Sequence, residues 1–73
     1  MDVLSAITKM EEAESVNDSE LSRRLGKSRN YMSVTRSKNS DIGASNLAKM
    51  ANAMGWRLML AKDGLNIEVT PRD

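Results

Sequence analysis

The chain reads as mainly α, four helices followed by a C-terminal β-hairpin, and three observations predict this. Apolar residues recur at helical spacing in Val3, Ile7 and Met10 and again in Leu47, Met50, Ala51 and Met54. Between these stretches, cap residues and a glycine cut out two shorter helices. After Gly55 the helical period gives way to strict alternation. The division falls there: residues 1–55 form a helical unit and residues 56–70 a hairpin.

The first helix carries Val3, Leu4, Ile7 and Met10 on one face and ends near Ser15. Asn17 is the next N-cap, and Glu20, three residues on, completes a capping-box pattern. Leu21 and Leu25 stand one turn apart and Gly26 supplies a stop, so the second helix covers about 18–25. Ser28 is the N-cap candidate for a third helix over about 29–37. At 100° per residue, Ser28, Met32 and Thr35 share one side, and Arg29, Asn30, Ser33, Val34 and Ser37 the other. The first side packs and the second is free to touch a partner. Lys38 to Ile42 is a loop, and a fourth helix spans about 43–54 with Gly55 as its cap. Trp56, Leu58 and Leu60 then alternate with Arg57, Met59 and Ala61. Beyond Asp63-Gly64, a turn dipeptide, Leu65, Ile67 and Val69 alternate with polar residues.

A chain of 73 residues with neither Cys nor His has room for one small core and lacks disulfides, thiolate nucleophiles, the commonest general base and most zinc ligands. No metal, no cofactor and no enzyme chemistry is expected; the chain acts by binding. No run of 18 apolar residues and no basic leader is present, which predicts a cytoplasmic protein with no membrane role.

The net charge of +1 hides an uneven distribution. Residues 1–22 set Lys9 against Asp2, Glu11, Glu12, Glu14, Asp18 and Glu20, giving −5. Residues 23–38 hold Arg23, Arg24, Lys27, Arg29, Arg36 and Lys38 with no acid, giving +6. An acidic back and a basic front suit a polyanion.

Two short helices joined by a glycine turn, the second with a polar outer face, form a helix-turn-helix pattern. From Val16 to Gly55 the segment VNDSELSRRLGKSRNYMSVTRSKNSDIGASNLAKMANAMG resembles the core of the Cro/repressor (xenobiotic-response-element) family of helix-turn-helix proteins. Val16, Leu21, Leu25, Gly26, Ser28, Met32, Ser33, Leu47, Met50, Ala51, Met54 and Gly55 meet that family's pattern without a gap. Several positions depart from it. Asp18 stands where the family prefers a phosphate-binding Gln, Ser22 replaces a small Ala, Thr35 a buried aliphatic, Lys38 a Gly and Ile42 a Pro. Glu11 and Arg36 stand where the family commonly has Arg and Glu. The exchanged charges predict an ion pair tying the first helix to the third, worth about 0.5–1 kcal/mol if largely exposed.

The resemblance implies that the third helix enters the major groove of double-stranded DNA with Arg29, Asn30, Ser33 and Val34 on the bases. Arg29 suits the O6 and N7 of guanine, Asn30 the paired acceptor and donor of adenine, and Val34 a thymine methyl. Asn17, Lys27, Ser28, Tyr31, Lys38, Asn39 and Ser40 are candidates for phosphate, and Arg23 and Arg24 are expected to be solvated. The hairpin is similar to the C-terminal strands through which Cro-like repressors form dimers. Its apolar residues, Trp56, Leu58, Met59, Leu60, Leu65, Ile67 and Val69, are the expected homodimer interface, one face covering the helices and the other a partner. The leading function is a transcriptional regulator, a repressor of a near-palindromic operator. The alternatives are an antitoxin that autoregulates its operon and holds a toxin, and an interaction adaptor that has lost DNA binding.

Overall fold

The computed structural model describes residues 1–39 and 41–72. Helix α1 (Val3–Glu14) starts where the Asp2 carboxylate accepts the Ser5 N–H at 2.8 Å, satisfying one of the donors that every helix start leaves open. It ends at Ser15, whose φ of 55° is left-handed. There the Val16 N–H reaches the Glu11 carbonyl and the Ser15 N–H the Glu12 carbonyl, the paired bonds of a Schellman motif.

Helix α2 (Asp18–Arg24) is capped by Asn17, whose Oδ1 accepts the Glu20 N–H at 2.8 Å. The expected capping box is only half formed. Glu20 turns its carboxylate to Arg23 and Arg24 rather than to the Asn17 backbone. At the other end Gly26, with φ 73°, lets the Lys27 N–H return to the Ser22 carbonyl. A side chain at Gly26 would be strained by that backbone.

Helix α3 (Tyr31–Lys38) starts two residues later than expected, and Ser28 is not its cap. The Ser28 carbonyl closes a turn with the Tyr31 N–H, and its hydroxyl donates to Asn30 Oδ1 at 2.8 Å. Arg29 and Asn30 therefore lie in the turn leading into α3, with Asn30 in the cap position but making no side-chain cap bond. The Thr35 hydroxyl, set in a place suited to an aliphatic, bonds back to the Tyr31 carbonyl at 2.9 Å, which satisfies it within the helix. Helix α4 (Ala44–Ala53) follows and ends, like α1 and α2, in a Schellman motif, with Gly55 at φ 82° and the Trp56 N–H on the Ala51 carbonyl.

Ile7 and Met10 of α1, Leu21 of α2, Met32 of α3, Ala48, Met50 and Ala51 of α4 and Met54, its C-cap, form the core. Methionine fills it because the chain has no Phe, and an unbranched thioether adapts to irregular gaps. Full burial of a side chain such as Leu21 contributes about 1.5–3 kcal/mol.

Strands β1 (Leu58–Lys62) and β2 (Leu65–Val69) pair antiparallel. Both turn residues, Asp63 and Gly64, have positive φ, as a type I′ hairpin turn requires. The register pairs Leu58 with Val69, Leu60 with Ile67 and Lys62 with Leu65 on one face, and Met59 with Glu68 and Ala61 with Asn66 on the other. The tail folds back, the Arg72 N–H bonding Ser45 Oγ at the start of α4. No helix among the described residues is long and apolar enough to cross a membrane.

Candidate nucleic-acid interface

The polar face of α3 is held in place from beneath by α1 and α2. Ser22 on α2 is fully buried; its hydroxyl donates to the Asp18 carbonyl and accepts the Met32 N–H at 3.0 Å. Met32 is in the first turn of α3, so Ser22 caps α3 from a neighbouring helix and takes over part of the role Ser28 leaves open.

Arg36, on the packed side of α3, spreads its guanidinium over two helices. Nη2 donates to Glu11 Oε1 at 3.0 Å, the pair expected from the exchanged charges. Nε donates to both oxygens of Asp18, and Nη1 to Thr8 Oγ1 at 2.8 Å. Asp18 is thus a second carboxylate on the same guanidinium. Reading the sequence does not find this contact, although its signal lies in the departures themselves, two new acids and one new arginine.

The site holds two carboxylates against one guanidinium. Glu11 is 7% exposed and its Oε2 has no hydrogen-bond partner. Burial first, then the adjoining Asp18, pushes its carboxyl up to about 7, with Arg36 opposing. Burial also resists ionisation of Asp18, but the adjoining Glu11 carboxyl and the Arg36 guanidinium prevail and hold it below the usual carboxylate range.

The six cations of residues 23–38 separate into two sets. Arg23 and Arg24, expected to be solvated, both grip Glu20, and Arg24 also donates to the Ala53 carbonyl at the end of α4. Those two bonds hold the exposed Glu20 carboxyl down to about 2. Arg36 is engaged as described. Lys27, Arg29 and Lys38 make no ion pair among the described residues. They are exposed, Lys27 and Arg29 before α3 and Lys38 at its end.

Ser33 and Val34 lie on the exposed side of α3. The Ser33 hydroxyl is turned back to the Asn30 carbonyl at 3.0 Å, while Val34 presents bare methyl groups. Asn17, Lys27 and Arg29 are brought together around an open recess of about 440 Å³, with Ser19 and Arg23. Tyr31 is half-buried, and its ring carries the Lys27 ammonium at 5.6 Å, within cation–π range. Lys38 and Asn39 stand at the far end of α3, where Asn39 closes the helix with a left-handed backbone. Ser40 lies outside the described residues.

The hairpin differs from expectation in which face it exposes. Leu58 and Val69, paired at its base, are half-buried on this chain's own helices. The same face continues outward through Leu60 (60% exposed), Ile67 (64%) and Leu65 (72%). Strands of five residues reach about 17 Å, so the distal half runs past the helices. The opposite face has only Met59 and Ala61 among polar neighbours. Trp56 is tied down through its indole N–H, which donates to Glu14 Oε2 at 3.1 Å. Leu58 and Val69 therefore belong to the intramolecular packing rather than to a free surface.

Comparison of the chain with protein-family models, with curated proteins and with solved structures returned no match.

Proposed function

We propose that this chain is a sequence-specific DNA-binding regulator that lays the exposed side of α3 in the major groove. One observation carries the reading: the fold consumes three of the six clustered cations and leaves Lys27, Arg29 and Lys38 without an ion pair among the described residues, at the two ends of one exposed helical face. Ion-paired arginines add little to a polyanion site, whereas free cations on either side of a short helix suit the two phosphate backbones of one groove. Arg29 and Asn30, in the turn that leads into α3, together with Ser33 and Val34, are the base readers. Asn17, Lys27, Tyr31, Lys38 and Asn39 position them. Arg23, Arg24 and Arg36 are excluded from the contact set. The pairing of Asp18 with Arg36 removes the main argument for an adaptor without DNA binding, since that carboxylate is neutralised within the fold.

A second copy of the chain is the partner that best fits the bare face of Leu60, Leu65 and Ile67, and a twofold pair suits a near-palindromic operator. In this reading the protein acts on the nucleoid as a homodimer.

In vitro selection from random duplex DNA, followed by a salt titration on the selected site, tests the proposal. Enrichment of a defined sequence with a steep salt slope is expected. Lys27→Ala and Lys38→Ala each lower that slope by about 1, while Arg29→Ala costs about 1–3 kcal/mol and relaxes preference at one base pair. Equal affinity for selected and random DNA would refute sequence-specific reading.

A further inference from the structure

Beneath α3, Glu11 from α1, Asp18 from α2 and Arg36 from α3 meet in one cluster, and their donors and acceptors do not balance. Arg36 donates through Nη2 to Glu11 Oε1, through Nε to both Asp18 oxygens and through Nη1 to Thr8, and none of these bonds reaches Glu11 Oε2. Glu11 Oε2 is buried and receives nothing. With both carboxylates ionised, the cluster would carry one uncompensated negative charge and one unsatisfied buried acceptor, each costly away from water. A single proton on Glu11 Oε2 removes both defects. It neutralises the surplus charge and turns the orphan acceptor into a donor toward Asp18, which lines the same recess with Glu11 and Arg36. The other charged group on that recess is Glu12 of α1, and its neutral polar lining includes Thr8, Ser15 and Asn17. No cation besides Arg36 lines it.

We infer that Glu11 and Asp18 share one proton in the folded chain, and that this shared proton positions α3 by letting Arg36 hold α1 and α2 at once. Glu11 and Asp18 are positioning residues. When the proton leaves, the two carboxylates repel each other and compete for one guanidinium, which loosens the seat of Arg36 and hence of α3. The consequence for DNA rests on the reading above: affinity falls as the proton is lost, both because α3 is less firmly set and because a negative charge appears beneath it.

The molecule is well suited to the test. It has no His and no Cys, so apart from the α-amino group no side chain of ordinary pKa titrates between pH 5 and 8. Carbon-13 NMR of the side-chain carboxyls is the direct measurement, taken with the amide resonances of α3 across the same range. Glu11 is expected to titrate near 7, well above its ordinary 4.5, with the amides of Val34 to Lys38 moving at the same midpoint. Glu11→Gln copies the protonated form, since its amide can accept from Arg36 and donate to Asp18. It should hold the α3 resonances still between pH 6 and 8. Asp18→Asn should move the Glu11 midpoint toward acid.

A Glu11 carboxyl that titrates at its ordinary 4.5, or a midpoint that Asp18→Asn leaves unmoved, overturns the sharing. α3 amides that shift equally in wild type and Glu11→Gln overturn the positioning role. On DNA selected as described, wild-type affinity should fall roughly fivefold from pH 6 to 8, at the low end of site-to-site coupling, and stay level in Glu11→Gln; a parallel fall in both proteins overturns the link to DNA. Absence of DNA binding in every form would defeat the DNA reading and the link to DNA, while the NMR titration still decides the shared proton.

Discussion

The helical unit and the hairpin solve opposite problems. Among the helices, polar groups are drawn inward and, Glu11 Oε2 apart, matched: Ser22 caps a foreign helix, Arg36 joins three, and Arg24 closes the end of α4. In the hairpin, apolar groups are sent outward and left unmatched past Leu58 and Val69. A two-stranded ribbon alone is marginally stable in water, and this one leans on α4 only at its base, while Leu60, Leu65 and Ile67 at its end stay exposed.

Substitutions can break that contrast at both ends of the energy scale. The largest loss is expected for Leu21→Ala, about 3–5 kcal/mol in chemical denaturation, because the side chain is fully enclosed by the four-helix core. Arg36→Ala follows at about 3 kcal/mol, since it leaves two carboxylates without their cation. Retention of wild-type stability in that variant would show that the three-helix tie contributes nothing. Ser22→Ala should cost about 1–3 kcal/mol by leaving the Met32 N–H buried and unpaired. In the hairpin, Ile67→Lys should change monomer stability by no more than about 0.5 kcal/mol, yet abolish any dimer seen by sedimentation at tens of micromolar. A dimer that survives the lysine places its interface elsewhere.

The effects of pH on stability have opposite signs in different windows. The Glu11 carboxyl has a raised pKa in the fold, so its contribution is complete below its ordinary 4.5 and is lost as pH rises through about 7. Wild-type melting temperature should thus decline between pH 5 and 8, and Glu11→Gln should flatten the curve. Glu20 is the reverse: lowered to about 2, it contributes above its ordinary 4.5 and loses that contribution as pH falls. Because Glu20 is exposed, Glu20→Gln should alter only the acid limb, and slightly.

What was legible in the sequence is what local chemistry decides. Apolar spacing located α1 and α4, Gly26 and Gly55 marked two ends, and Asp-Gly marked the hairpin turn, each because a single residue type is favoured by the backbone there. The start of α3 was not legible. Ser28 is as good a cap as Asn17 by composition, and it loses that role because Ser22, ten positions before the amide it caps, supplies the bond from another helix. Asp18 as a partner of Arg36 is also nonlocal, as is the overhang of the hairpin, since alternation gives a strand's two faces but not how far its support extends. For the interface, the wheel assigned Ser33 and Val34 to the free side of α3 correctly, and misplaced Arg29 and Asn30 inside the helix by the same error in its first residue.

The Schellman endings of α1, α2 and α4 have a consequence for how the chain reaches this structure. Each bend is specified by residues within six positions of one another, and the hairpin is closed by its own two-residue turn. Search over distant pairings is thereby reduced, and a topology dominated by such near-neighbour contacts folds on the microsecond-to-millisecond scale. A chain that acquires its shape through such local contacts does so at a rate independent of its concentration.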